Sequence, residues 1–189
     1  MKANKGFTLI ELAVVLAVIA VLAAILTPLV TSYIDQARET RAQNDVRALA
    51  QSFNLHKRDT GQYPIYGSDA ESDSDSGTEF LVGSGSIPTT SGDWTLNSNN
   101  DIDEYLNTTK LGLATTARGG RTAYRGPYVD LVTADPWGNS YVVYAVNLER
   151  SSTNLGFIVC AGPDGTIDTT RDQTSTLSVG GDDIVARIR

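Results

Sequence analysis

Cysteine, histidine and methionine are almost missing from this chain, one of each in 189 residues. With Cys160 alone, no internal disulfide can form. Its place in an apolar, β-branched stretch reads as a buried structural thiol rather than a reactive one. His56, the single histidine, has no nucleophile signature around it. The glycine-rich pieces lack the strand-to-helix setting that phosphate binding needs. An enzyme reading therefore gains no support, and no catalytic or organic-cofactor residue is assigned. Basic residues are also short, 15 Lys and Arg against 22 Asp and Glu, for a net charge of -7. So acidic a chain does not favour nonspecific binding of nucleic acid. Internal repeats, and a second domain with its own core, are absent as well.

The most consequential absence is local. From Leu12 to Ile34 no residue is charged, and about 20 apolar residues suffice to cross a hydrocarbon core as helix. Glu11 stands at the edge of this run. A carboxylate inside such a segment costs about 2.5–3.5 kcal/mol or more and so points to function. Lys2 and Lys5 precede it, which favours a cytoplasmic N-terminus. A cleavable secretory signal would end in a small-x-small site. Ala23-Ala24 and the Ala17 to Ala20 region offer small residues, but the apolar run continues past both. Composition alone would be met by a plain N-terminal signal anchor.

The residues themselves point elsewhere. Lys5-Gly6-Phe7-Thr8-Leu9-Ile10-Glu11-Leu12 resembles the processing site of type IV pilins and of the pseudopilins of type II secretion. The resemblance implies that a prepilin peptidase cuts after Gly6 and that the new N-terminal residue, Phe7, is methylated. It places Glu11 at the fifth mature position and Pro28 at the twenty-second, where the family has its glutamate and proline. It also implies a leader of residues 1–6 and storage as a single-pass inner-membrane protein with a cytoplasmic N-terminus. An assembly platform with its ATPase complex, together with minor pseudopilins, would then bring subunits into a homo-oligomeric helical filament, periplasmic or at the cell surface. Within such a filament, the amine of Phe7 and the carboxylate of Glu11 lie one helical turn apart on one face. An incoming ammonium paired with a buried Glu11 would set register more than bulk strength.

Past the apolar run, Val46, Leu49, Ala50 and Phe53 recur at i, i+3, i+4 and i+7, one stripe of a helix. Arg38, Glu39, Arg41, Asp45 and Arg47 make the opposite, polar face. Pro28 is expected to bend or locally melt the helix, and Asp59-Thr60-Gly61 to end it. A helix from Phe7 to His56 would be on the order of 75 Å long. Residues 7–34 form its protruding, hydrophobic polymerisation half and 35–61 its amphipathic half. The head, residues 62–189, has an acidic Ser-rich loop at 67–77. Strands are expected at Ser140–Val146 and Gly156–Cys160, with a hairpin connection at Leu148 to Leu155, and a short one at Ile184–Ile188. The fold class is α+β, a long N-terminal helix packed on a small antiparallel sheet.

Three further segments narrow the resemblance to the major pseudopilins. They are Asp59-Thr60-Gly61-Gln62-Tyr63-Pro64, Gly126-Pro127-Tyr128-Val129 and Asp135-Pro136-Trp137-Gly138-Asn139-Ser140-Tyr141. The last reads as structural, with turns at Pro136 and Gly138-Asn139 and Trp137 as apolar anchor rather than ligand-stacking ring. Near the C-terminus, Ala161-Gly162-Pro163-Asp164-Gly165 and Gly180-Gly181-Asp182-Asp183-Ile184 put three carboxylates on two glycine-rich loops. Calcium takes six to eight oxygen ligands of this kind. In the resembling family matching loops bind calcium, which implies Asp164, Asp182 and Asp183 as side-chain ligands and the Ala161 carbonyl as a further one. Asp168 and Asp172 lie between and could contribute, since Thr166 to Val179 is longer than the family pattern. The competing reading is a set of turn-forming aspartates on a solvated surface. A basic cluster of Arg118, Arg121 and Arg125 with Tyr124 reads as a solvated loop before a contact with nucleic acid or an acidic neighbour.

The sequence thus points to a filament subunit, most like a major pseudopilin whose periplasmic pseudopilus promotes protein export. A surface pilin for adhesion, motility or DNA uptake is the alternative. A membrane-anchored binding module that never assembles is the alternative of another class.

Overall fold

The computed structural model describes residues 6–61, 63–64, 79–91, 93–94, 96, 106, 125–129, 132–148 and 152–189. The lysines before Gly6, the acidic loop 67–77 and the basic cluster members Arg118, Arg121 and Tyr124 lie outside the described residues. The chain divides into two units, residues 1–38 and 39–189.

The first unit holds most of the apolar part of helix α1, which runs Leu9–Thr60. Its side chains find no protein cover: Phe7 is 91% exposed and Ile34 still 47%. Among the described residues, α1 is long and apolar enough to cross a membrane. The helix is unbroken through Pro28, so the local melting expected there does not occur in the single chain. Flanking threonines bond the backbone on both sides: Thr27 Oγ1 donates to the Ala23 carbonyl (2.7 Å) and Thr31 Oγ1 to the Pro28 carbonyl (2.9 Å). A helix uncharged over this length can tolerate such a proline because hydroxyls of this kind occupy carbonyls nearby.

The second unit is built on a four-stranded antiparallel sheet. Its strands are β1 (Glu79–Val82), β3 (Tyr141–Tyr144), β4 (Phe157–Cys160) and β6 (Ile184–Arg187), in the order β1-β3-β4-β6. A two-residue parallel ladder joins β2 (Thr89–Thr90) to β5 (Thr166–Ile167). The expected strand from Ser140 to Val146 is shorter than anticipated, because Ala145–Leu148 turns into a 3-10 helix. The other two expected strands are seen with ends trimmed by a residue. Strands β1, β2 and β5 were not anticipated.

Alternation along the strands gives the sheet two apolar faces. Tyr141, Val143, Ile158, Cys160 and Ala186 pack with Ala42, Val46, Leu49, Ala50 and Phe53 of α1, so the predicted stripe is the core stripe. Val142, Phe157 and Val159 point the other way, onto Trp94, Leu155 and Ile167. The segment after β4 therefore covers the back of the sheet, and Leu177 in its long loop packs there too. Trp94 Nε1 pins that loop by donating to the Thr169 carbonyl at 2.7 Å. Buried Gln173 closes the loop on itself, donating to the Thr170 and Ser178 carbonyls at 2.8 and 2.9 Å.

The Asp135–Tyr141 segment behaves as a structural turn. Asp135 is buried, and its Oδ1 accepts the N–H groups of Trp137 (2.9 Å) and Asn139 (2.8 Å). Its Oδ2 accepts the Cys160 thiol at 3.2 Å, and burial pushes that thiol's pKa up, as expected of an unreactive cysteine. Trp137 is half-buried against the helix-side core. The helix ends as anticipated: Gly61, at φ 87°, donates its N–H to the Lys57 carbonyl at 2.7 Å, a glycine C-cap.

Candidate functional site

The predicted site residues fall in two sets, one at each end of the chain. At the N-terminus Gly6 and Phe7 precede α1 and are exposed. Thr8 is the N-cap and Glu11 the third helical residue. The Glu11 N–H donates to Thr8 Oγ1 (3.3 Å), while Glu11 Oε2 accepts both the Thr8 N–H and the Thr8 hydroxyl at 2.8 Å. This is a capping box, in which side chains satisfy backbone groups that the first helical turn leaves open. The T-x-x-E spacing signals it, and the sequence reading passed over it. In this chain the Phe7 nitrogen is an amide, and Glu11 has Thr8 as its partner. Pro28 lies further along the same helix and is exposed.

At the C-terminus the two glycine-rich loops do meet. Asp182 Oδ2 accepts the Asp164 N–H at 3.3 Å, and a Cβ on Gly162 would collide with Asp182. Asp164 Oδ1 accepts the Thr166 N–H within its own turn at 2.7 Å. Ala161 follows β4 and is buried, while Asp164 and Asp182 are exposed. Asp183 differs from both. It is 7% exposed, and its Oδ2 accepts the N–H groups of Asp168 (2.9 Å) and Thr169 (2.7 Å). Its Oδ1 is buried with no hydrogen-bond partner. Burial, with the Asp168 carboxylate adding to it, pushes the Asp183 pKa up against the pull of the Thr169 and Asp168 N–H groups.

Asp168, named only as a possible contributor, sits against these groups, its Oδ1 accepting the Ser91 hydroxyl. Gly180 and Gly181 cradle it, since a Cβ at either would strike Asp168. Asp172 is engaged elsewhere, accepting from Asn154 Nδ2 (3.1 Å) and paired with Arg171 (3.6 Å). Among the described residues no three His, Cys, Asp or Glu side chains converge tightly enough to hold an ion. The donor chemistry nonetheless fits a hard cation: all oxygen, one carboxylate oxygen buried and unsatisfied, and a glycine cradle beside it. Asp164 and Asp182, being exposed, can turn from single backbone N–H groups at small cost.

Known proteins resemble this chain at its N-terminus and over most of its length. Residues 1–27 match the family described as the prokaryotic N-terminal methylation motif. The chain is 28% identical over 172 residues to the type II secretion system core protein G of Escherichia coli K12, covering 91% of this chain and 90% of that protein. The protein of the same name from Vibrio cholerae is 25% identical over 141 residues, 75% of this chain and 70% of that one. The Pseudomonas aeruginosa protein of that name is 36% identical over 63 residues, 33% and 44% of the two chains. No solved structure gives a significant match.

Proposed function

We infer that this chain, a member of the type IV pilin and pseudopilin family and most like the major pseudopilins, is a structural subunit of a type II secretion pseudopilus. The observation that carries the reading is the first half of α1. It is apolar and uncovered in the single chain, and it begins with a carboxylate set behind a peptidase-type glycine. A surface of that kind needs lipid or other subunits as its cover. The subunit would wait in the inner membrane with its N-terminus in the cytoplasm. Cleavage after Gly6 would then free the Phe7 amine for methylation, and an ATPase-driven platform would move the subunit into a homopolymer with minor pseudopilins. The Phe7 ammonium of an arriving subunit would replace Thr8 as the partner of a Glu11 already in the filament.

Sequencing the mature protein tests the processing step. A methylated Phe7 at the N-terminus is expected, and retained Met1 would favour a membrane-anchored module that never assembles. Imaging the filament in its cell separates a periplasmic pseudopilus from a surface pilus.

The same reading includes a structural calcium ion between the two C-terminal loops. Asp183 Oδ1, Asp164, Asp182 and the Ala161 carbonyl would hold it, and it would neutralise a buried carboxylate and fasten a chain without a disulfide. Calorimetric titration of the full-length protein in detergent with calcium, after chelation, is the test. Absence of any heat would remove the ion from the proposal and leave the filament role untouched.

A further inference from the structure

We propose that Asp168 couples cation binding at the two C-terminal loops to the docking of β2, with the Ser91 hydroxyl as the connecting group. This rests on the calcium reading and adds to it a residue outside the four already named and a consequence some distance from the ion.

Asp168 is fixed at three points. Its N–H donates to Asp183 Oδ2 at 2.9 Å, its Oδ1 accepts the Ser91 hydroxyl, and its Oδ2 lies where a Cβ on Gly181 would stand. Ser91 directly follows β2, and its N–H donates to the Ile167 carbonyl at 3.0 Å. The ladder it extends has two residue pairs, Thr89 with Thr166 and Thr90 with Ile167. Pairing so short is marginal by itself and depends on side-chain anchors. Thr89 Oγ1 meets Thr166 Oγ1 at 2.7 Å, a neutral contact. The Ser91 bond to Asp168 is the charge-assisted one, the stronger type.

The unsatisfied oxygen lies at the other end of the same chain of contacts. Asp183 is more than nine-tenths buried and gives Oδ2 to Asp168 and Thr169, while Oδ1 has no partner. A cation at Oδ1 offsets the repulsion between the Asp183 and Asp168 carboxylates. An ionised carboxylate has about four lone-pair sites, so Asp168 can face the ion through Oδ2 and keep Ser91 on Oδ1. Holding Asp168 then holds Ser91, and through it the end of β2. Coupling of this kind is reciprocal: what loosens Ser91 also weakens the ion.

The test is hydrogen exchange with mass spectrometry on the full-length protein in detergent, with calcium or with chelator, beside calorimetric calcium titration. In the wild type, calcium is expected to slow exchange about fivefold or more in peptides covering 84–91 as well as 180–189. Ser91→Ala should bind calcium several-fold more weakly by the same coupling, and should lose the calcium-dependent protection at 84–91 while keeping it at 180–189. Ser91→Thr, which retains the hydroxyl, should restore both. Asp168→Asn, which keeps an acceptor for Ser91 and drops the charge, should bind calcium weakly whatever Ser91→Ala does to folding. Protection confined to 180–189 in the wild type, or an unchanged Ser91→Ala, would overturn the coupling and leave the calcium reading standing. No calcium heat and no protection anywhere would overturn both.

Discussion

Single residues in this chain are informative where burial and chemistry disagree. Tyr141 is buried at the helix–sheet contact, with its hydroxyl donating to Asp45 Oδ2 at 2.9 Å. Burial, then the Asp45 carboxylate, raises its pKa well above the usual phenol value of 10.0, and burial also raises that of Tyr128. Each folded pKa lies above the unfolded one. The stabilisation is therefore complete below about pH 10 and is lost as pH rises through the folded values. Thermal melts from pH 8 upward should show stability falling above about pH 10, and Tyr141→Phe should make that fall shallower. The same variant should lose about 1 kcal/mol at neutral pH by giving up its hydrogen bond. Asp183 has the same sign in the acid range: its raised pKa makes the ionised form costly in the fold, and a cation there would offset that cost. A neighbouring test concerns shape alone. Gly180→Ala would put a Cβ into the Asp168 backbone and should cost about 1–3 kcal/mol in urea unfolding, the usual range for overpacking.

At the scale of elements, the sequence spoke clearly wherever one physical rule acted alone. The stripe of Val46, Leu49, Ala50 and Phe53 has a helical period, and those residues are the ones α1 buries. Removing the largest, by Phe53→Ala, should cost about 3–5 kcal/mol, read as a drop in the melting temperature of the head. Strands β3, β4 and β6 announce themselves through β-branched and aromatic runs. Strands β2 and β5 do not, because Thr89–Thr90 and Thr166–Ile167 pair only through contacts made across more than 70 residues. The long Thr166 to Val179 stretch looked like an insertion between two loops. Its meaning became visible only in three dimensions, where Ile167 and Leu177 cover the back of the sheet and the loop walls Asp183 with two N–H groups. The residues of the proposed calcium site were legible as a pair of loops, while Asp168 and Ser91 were not legible as partners, since no local pattern joins them. Pro28 was readable as a lost donor but not as a break, because a monomer's helix can carry it when hydroxyls bond nearby carbonyls.

At the scale of the whole molecule, the chain combines a greasy half-helix with an acidic head, and the two act oppositely on assembly. The proposed cleavage after Gly6 would remove Lys2 and Lys5, leaving 13 basic against 22 acidic side chains and a net charge of -9 in place of -7. In the proposed filament, apolar burial of the segment from Phe7 to Ile34 would draw subunits together, while like-charged heads would repel one another. Glu11 would set register inside the apolar part of that filament. Breaking a buried ion pair from one side costs about 3–5 kcal/mol, so Glu11→Ala should insert in the membrane normally yet lower filament yield by about a hundred-fold or more. Normal yield would remove Glu11 from assembly. Head repulsion makes a separate, salt-dependent prediction. The screening length shortens from about 30 Å at 0.01 M salt to about 10 Å at 0.1 M, so wild-type assembly from detergent should rise across that range. Glu11→Ala should stay far below wild type throughout, because salt screens the exposed heads of both and cannot replace the missing buried pair. A wild-type yield that falls with salt would mean instead that attraction between oppositely charged patches, not repulsion between acidic heads, governs the contact between neighbouring subunits.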